Sequence, residues 1–218
     1  MLMANTTPFD SNPELYEAWF QDHAFAYESE LKAIRELLPG TGRGLEIGVG
    51  SGLFAAPLGI KQGIDPSRAM LEKARQRGID VTQGIAENLP YKDAEFDFVL
   101  MVTTICFLDD LELAFREAHR VLKPHGSFLL GFVDKNSLIG KSYEKRKQES
   151  LFYKDATFYV LNDLLHYLKI AGFEGFSFRQ TLFGSVSDMQ KPDIVKEGHG
   201  KGSFVVIKAG KKNRESRS

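Results

Sequence analysis

The sequence predicts a doubly wound α/β sheet, parallel except for a closing antiparallel pair, with helices on both faces. Three observations carry this reading. Short apolar runs alternate with helical patterns between residues 43 and 133. Glycines at 48, 50 and 52 form a tight turn between the first apolar run and a helix start. The last two β-rich runs, 174–183 and 203–209, have only a Gly-containing loop between them, so they pair antiparallel.

Each element follows from local chemistry. Ser11-Asn12-Pro13-Glu14 starts a helix, with a capping residue, a proline in the first turn and an acid three residues after the cap. Apolar positions then recur at helical spacing through Tyr16, Trp19, Phe20, His23, Tyr27, Leu31, Ile34 and Leu38, until Pro39-Gly40 ends the helix. Strand one spans 43–48, and a short helix over 51–58 is stopped by Pro57 and Gly59. Strand two spans 60–64; Pro66-Ser67 opens a helix to Arg77, and strand three is 80–83. Strand four, 96–103, is nearly all apolar, as expected when both sheet faces are covered. Asp109-Asp110 caps a helix whose apolar face is Leu111, Phe115, Ala118 and Leu122, and strand five is 127–133. The connection over 134–156 is long for an α/β unit, and a helix over 157–171 follows.

Composition narrows the function. With 218 residues the chain can bury a sizeable core as one domain. Lys and Arg total 28 against 29 Asp and Glu, so bulk charge gives no argument for nucleic acid or an anionic membrane. The single cysteine, Cys106, precludes an internal disulfide and fits a reducing cytoplasm. No basic-then-apolar leader opens the chain, and no apolar run reaches the roughly 20 residues that span a bilayer. The expected location is cytoplasmic, and the basic end, 211–218, reads as a solvated tail.

The chemistry concentrates in Leu45-Glu46-Ile47-Gly48-Val49-Gly50-Ser51-Gly52, followed by Gly63-Ile64-Asp65-Pro66-Ser67. Bare backbone at the glycines and a helix start behind them suit a polar ligand. Asp65, 19 residues beyond Glu46, can accept two ribose hydroxyls, which indicates a nucleoside-containing cofactor. A dinucleotide fingerprint needs G-x-G-x-x-G, and Leu53 stands where its third glycine would fall. Glu46 would repel a pyrophosphate and suits a ligand with an amino group.

The pattern E-x-G-x-G-x-G resembles motif I of the class I S-adenosylmethionine-dependent methyltransferases, and Gly-Ile-Asp-Pro-Ser resembles their next motif. Gly84-Ile85-Ala86-Glu87-Asn88-Leu89-Pro90 is similar to their adenine segment, and the stretch Glu117 to Gly126, with Arg120-Val121-Leu122-Lys123-Pro124, to the run before their fifth strand. The match covers roughly 40–135 and fits the "type 11" small-molecule branch. It implies a Rossmann-like α/β/α sandwich with a seven-stranded sheet in the order 3-2-1-4-5-7-6. It further implies S-adenosyl-L-methionine as cofactor, S-adenosyl-L-homocysteine as product, and methyl transfer to a small molecule by in-line displacement. One domain over 1–218 is expected: a helical cap (1–40), a cofactor core (41–135), a lid insertion (136–156), a C-terminal helix with the strand pair (157–210), and the tail.

The resemblance assigns Glu46 to the methionine part, Asp65 to the ribose, Ala86 and Glu87 to the adenine segment, and Gly48, Gly50 and Gly52 to the cradle. Ile85 replaces the acid that usually reaches the adenine amino group, so an apolar wall is expected there. Thr103 and Thr104 end strand four at the crevice where open sheets bind ligands. Bland readings stand beside these: turn glycines, a helix cap at Asp65, a strand end at Thr103. Methyl transfer from a sulfonium needs little beyond positioning and water exclusion, so no catalytic triad is required.

Candidate substrate contacts are Tyr16, Trp19, His23 and Tyr27 on the first helix, with Tyr143, Tyr153 and His199 from later loops; Tyr16 and His23 are weak catalytic candidates. For the first four, plain packing is the competing reading. Segments 13–27 and 136–156 are the expected lid. No His/Cys cluster has metal spacing, so no metal is expected. Cys106 lacks the neighbouring proline of cytosine-C5 enzymes, and no Asn/Asp-Pro-Pro-Tyr follows strand four, so DNA bases are disfavoured and a buried thiol is expected. Two rivals remain: a non-catalytic S-adenosylmethionine-binding sensor or scaffold, and an NAD-type oxidoreductase. Neither the acceptor atom nor the oligomeric state can be read from the sequence.

Overall fold

The computed structural model describes residues 5–211. Its core alternates strand and helix: β1 (Gly44–Ile47), α4 (Ala55–Leu58), β2 (Gln62–Asp65), α5 (Arg68–Gln76), β3 (Asp80–Gln83), β4 (Phe96–Val102), α6 (Leu111–Val121) and β5 (Leu122–Val133). Three helices precede it, α1 (Thr7–Ser11), α2 (Pro13–Asp22) and α3 (Ala24–Arg35). After it come α7 (Leu138–Arg146), α8 (Leu161–Ile170), β6 (Phe173–Thr181), β7 (Lys196–Glu197) and β8 (Phe204–Lys211).

The eight strands form one sheet in the order β3-β2-β1-β4-β5-β8-β6-β7. Strands β1 to β5 pair parallel, and β8 runs antiparallel to both β5 and β6. With β8 as the seventh strand of the expected order, the sheet agrees with the sequence reading. The two-residue β7 is an added edge, held by pairing Arg179 with Glu197 and Gln180 with Lys196.

Alternation along the central strands explains their apolar composition. In β4, Val99 and Met101 enter the core beneath α6 and α8, while Phe98, Leu100 and Val102 enter the core shared with α2 to α5 and α7. Each apolar residue of the strand therefore buries its side chain on one face or the other, and only Asp97 stays outside both cores.

Several predicted elements need correction. The single helix expected from Pro13 to Leu38 is broken at His23, whose backbone (φ −117, ψ 41) is not helical. The His23 Nδ1–H and backbone N–H both meet the Trp19 carbonyl, so the ring terminates α2. Helix α1 was not expected at all. The helix read over 51–58 is reduced to α4, because Gly52 sits at φ +82 and residues 51–54 form the turn. Strand β5 begins at Leu122, straight from α6, and pairs Leu122 with Phe96. A bulge at Lys123–Gly126 interrupts it, and pairing resumes at Phe98 with Ser127. The bulge is pinned by Lys123 Nζ on both Asp97 carboxylate oxygens at 2.9 Å. Helix α8 starts at Leu161, four residues late, where Asp134 Oδ2 accepts the Leu161 N–H at 3.1 Å. The long connection holds α7, whose Ser137 cap accepts the Gly140 N–H. Of the expected tail, Lys211 ends β8 and the rest lies outside the described residues.

The N-terminal helices are tied across the carboxyl ends of the strands. The Ser67 hydroxyl donates to Asp10 Oδ1 at 2.6 Å, joining α1 to the cap of α5. Glu17 of α2 pairs with Lys73 at 3.2 Å and Arg77 at 2.8 Å, both beyond the sheet on α5 and its end.

Candidate functional site

The site is built at the carboxyl ends of β1, β2 and β4. Strand β1 ends at Ile47, and the chain turns back through Gly48 and Val49, whose N–H groups both donate to Ile64 O on β2. That turn demands positive φ at Gly48 (+71) and Gly50 (+52). A Cβ on Gly48 would lie 2.3 Å from Thr104 Cγ2, so the loop after β4 packs directly on this backbone. A Cβ on Gly50 would meet nothing within 4 Å, because it faces open space.

Asp65 ends β2 beside that space. Its Oδ2 accepts the Gly50 N–H and its Oδ1 the Ser67 N–H, both at 2.9 Å. A carboxylate has about four acceptor positions, so two remain for a ligand's hydroxyls. Burial raises the Asp65 pKa to about 6, against the lowering effect of those two N–H groups.

Glu46 is only 1% exposed, on the opposite face of β1 from Leu45 and Ile47. The Ala55 N–H at the start of α4 bonds to it, while its Oε2 is buried without a partner. Burial pushes its carboxyl well above the usual range, with Asp65 adding in the same direction. A cationic group brought close would ionise Glu46 and satisfy that oxygen.

A cavity lies against the glycine turn and Asp65. Gly48, Gly50, Asp65, Ala86, Glu87, Thr103 and Thr104 line it, as do Ile85 and Tyr16. Ile85 thus forms part of an apolar wall. Glu87 is committed elsewhere through its carboxylate, since Oε1 accepts the Asp109 and Asp110 N–H groups at 3.0 and 3.3 Å. Thr103 adopts φ +51, a left-handed backbone that is strained for a β-branched residue. Leu89, at the end of the adenine-like segment, is clamped by Glu117 Oε2 on its N–H and by Arg120 on its carbonyl, 2.8 and 2.9 Å away. Those two sequence motifs are one hydrogen-bonded unit.

A second cavity adjoins the first through Phe9 and Tyr16, which line both. Helix α2 gives it Tyr16, Trp19 and Phe20; α7 and the chain after it give Tyr143, Arg146, Phe152 and Tyr153. Ring contacts knit this wall, including Phe9 with Phe152 and Tyr143 with Tyr153. The segments 13–27 and 136–156 therefore face each other across it.

Five of the named candidates, Glu46, Gly52, His23, Tyr27 and His199, line neither of these cavities. Gly52 turns its α-carbon toward the packing side, where a Cβ would lie 2.4 Å from Ile79 Cδ1. His23 stacks on Trp19 and ends α2. His199 packs on Phe178 and lines a separate depression with Asp134 and Asn136. Tyr27 braces the site from behind, its hydroxyl donating to Leu53 O. Cys106 is a buried thiol pushed up to about 12 by burial.

Sequence reasoning missed Asn5, Thr6 and Phe9 of the N-terminal segment, together with Met70 and Phe107, all at the first cavity. The seven-residue spacing of Phe9 and Tyr16 was the available signal, since both rings fall on one side of the cap. Among the described residues, no group of three or more His, Cys, Asp and Glu side chains could hold a metal ion. No helix among them is long and apolar enough to cross a membrane.

Comparison with known proteins agrees with this geometry. Residues 45–130 match the family model described as a methyltransferase domain. A crystal structure from Thermotoga maritima, titled SAM-dependent methyltransferase, possible histamine N-methyltransferase, is 52% identical. It superposes with a TM-score of 0.93, covering 95% of this chain and 100% of that one. An uncharacterized protein of Methanocaldococcus jannaschii is 44% identical over 203 residues, 93% of this chain and 98% of that protein. A ubiquinone/menaquinone biosynthesis C-methyltransferase of Rickettsia akari is 35% identical over 106 residues, 44% of this chain and 39% of that enzyme.

Proposed function

Because the chain belongs to the S-adenosylmethionine-dependent methyltransferases, we propose that its acceptor is a small molecule held in the aromatic cavity beside the cofactor cradle. The observation that carries this reading is the pair of adjoining cavities with a shared wall at Phe9 and Tyr16. The names of the Thermotoga and Rickettsia relatives, which point to histamine and to quinone biosynthesis, support a small acceptor.

The residues fit the cofactor. Asp65 has acceptor positions left for the ribose hydroxyls, and the unpartnered Oε2 of Glu46 suits the amino group of the methionine part. Ile85 and Ala86 would flank the adenine, and Gly50 leaves its Cβ space free. When bound, the cofactor supplies a methyl group activated on a sulfonium, at which only an oriented nucleophile is required. Tyr16 stands between the two cavities as a neutral phenol, since burial first and then the nearby Asp65, Glu46, Cys106 and Glu30 raise its pKa. Its ring can face a sulfonium, and a cation–π contact of that kind contributes about 0.5–2 kcal/mol. The aromatic wall excludes water from the acceptor.

Calorimetry on the purified protein should show S-adenosylmethionine and S-adenosylhomocysteine competing for one site, with no response to NAD. NAD binding without response to either sulfur nucleoside would sink the reading. With labelled cofactor and a metabolite pool, label should pass to small molecules.

The cap and the 136–156 insertion act in this reading as a lid. Hydrogen exchange should slow in 13–27 and 136–156 on adding S-adenosylhomocysteine, by more than in β1 and β4. Equal protection with and without ligand would show that both are fixed scaffold.

A further inference from the structure

The cavity at the glycine turn carries charge of one sign. Asp65 and Glu87 line it, and among the described residues no Lys, Arg or His does. The basic groups on α5 and at its end are engaged elsewhere. Arg68 Nε donates to Gln83 at 3.1 Å, Lys73 pairs with Glu17 at 3.2 Å, and Arg77 pairs with Glu17 at 2.8 Å. A cleft whose charged side chains are all anionic attracts cations and opposes anions.

Backbone donors do not redress the balance, because folding spends them on the protein itself. The Gly48 N–H donates to Ile64 O at 2.8 Å and the Gly50 N–H to Asp65 at 2.9 Å. The Ser67 N–H also goes to Asp65, at 2.9 Å, and the Thr103 N–H to Gly131 O at 2.8 Å. Two lining hydroxyls are used as well, Ser67 on Asp10 at 2.6 Å and Thr104 on Val102 O at 3.1 Å. Away from the adenine segment the donors that remain are neutral, among them the Asn5 amide and the Tyr16 and Thr103 hydroxyls.

S-adenosylmethionine meets this lining unevenly. Its ribose hydroxyls are donors, and its sulfonium and ammonium are cations; its carboxylate alone is an anion. In this cavity that carboxylate finds no counter-ion. An anion taken from water without one gains nothing to offset its lost hydration.

We propose that the cavity selects its nucleoside by positive charge and does not read the carboxylate of the methionine part. Its ligand class is an adenosine whose 5′-sulfur carries a chain ending in an amine, with or without the carboxylate. Decarboxylated S-adenosylmethionine is therefore a ligand of the same site. This rests on the cradle of Gly48, Gly50 and Asp65 being where the cofactor binds.

The test is calorimetry on the full chain at neutral pH, with two pairs of ligands that differ only in the carboxylate. S-adenosylmethionine and S-adenosylhomocysteine are each titrated against their decarboxylated forms. A site that held the carboxylate by a charge-assisted hydrogen bond would lose about tenfold or more on its removal. Here the decarboxylated member of each pair should bind within about threefold of its parent, or more tightly. 5′-Methylthioadenosine, which lacks the amine too, should bind at least about tenfold more weakly than decarboxylated S-adenosylhomocysteine. A loss beyond about threefold in either pair overturns the indifference to the carboxylate. Binding of 5′-methylthioadenosine within about tenfold overturns the selection by charge. If the two parents bind while either result fails, the cofactor site stands and only its charge rule falls. If neither parent binds, the cofactor reading fails and the charge rule falls with it. Every titration uses the unaltered protein, so no folding defect enters.

Discussion

Asp65→Ala is expected to weaken S-adenosylhomocysteine binding by at least about 100-fold. Two hydroxyl donors lose a charged acceptor, and each such bond contributes about 1.5–3 kcal/mol, with about 1.4 kcal/mol per factor of ten. The same substitution leaves the Gly50 and Ser67 N–H groups without their acceptor, so the free protein should also melt lower. The pH dependence separates the two effects. Ionised Asp65 is the form that accepts two hydroxyls, and its pKa in the free protein is raised to about 6. Wild-type affinity should accordingly rise as pH increases through about 6 and level off above it. For the free protein the sign is opposite: a folded-state pKa above the unfolded value means this group's contribution to stability falls between about pH 4 and 6. Asp65→Asn should abolish the affinity rise. A flat wild-type profile, or unchanged affinity in Asp65→Ala, would reduce Asp65 to a cap for the turn into α5.

The second large effect is a contrast between two glycines two residues apart. Gly48→Ala should cost roughly 2–5 kcal/mol of stability, from overpacking and a left-handed backbone together. Its Cβ would lie 2.3 Å from Thr104 Cγ2 and 2.4 Å from Oγ1, and Thr104 cannot step back, since its hydroxyl is seated against Ile47 O and Val102 O. For a chain of this size that corresponds to a fall in melting temperature of about 5–15 °C. Gly50→Ala meets no protein atom within 4 Å, so it should lose only the backbone term of about 1 kcal/mol. Its methyl group enters the cradle instead, and cofactor affinity should drop more than tenfold. Thermal unfolding paired with a S-adenosylhomocysteine titration checks both. Similar melting temperatures for the two variants would mean the loop after β4 is not fixed on the turn.

The sheet was legible because the periodicities that specify it are local. Strand β4 alternates between two cores, so every residue but Asp97 reads apolar, and the helix-free link between 183 and 203 forces an antiparallel neighbour. The juxtaposition of the glycine turn with Asp65 was legible for the same reason: Glu46, the glycines and Asp65 lie on one strand–turn–helix–strand unit. What was missed depends on contacts distant in sequence. Helix α1 is five residues long and stays in place through Asp10 on Ser67, 57 residues away. The break at His23 was hidden because the aromatic spacing runs unbroken across it. The burial of Glu30 on α3 was invisible among Glu28, Lys32 and Arg35, since a charged residue in a charged stretch reads as solvated until the fold shows which face turns inward. Gly52 and His199 carry sequence signals of sites, but their neighbours Ile79 and Phe178 make them packing positions.

The wall shared at Phe9 and Tyr16 has a consequence for how such a protein can diverge. Substitution at either ring changes the cofactor side and the acceptor side together, so those two positions are poor places from which to drift toward a new substrate. Leu15, Trp19 and Arg146 line the proposed acceptor cavity without reaching the cradle, whereas Phe152 packs on both Phe9 and Tyr16. Lineages changing their acceptor can vary Leu15, Trp19 and Arg146 freely, and a laboratory library confined to them should alter selectivity while every member keeps its grip on the nucleoside.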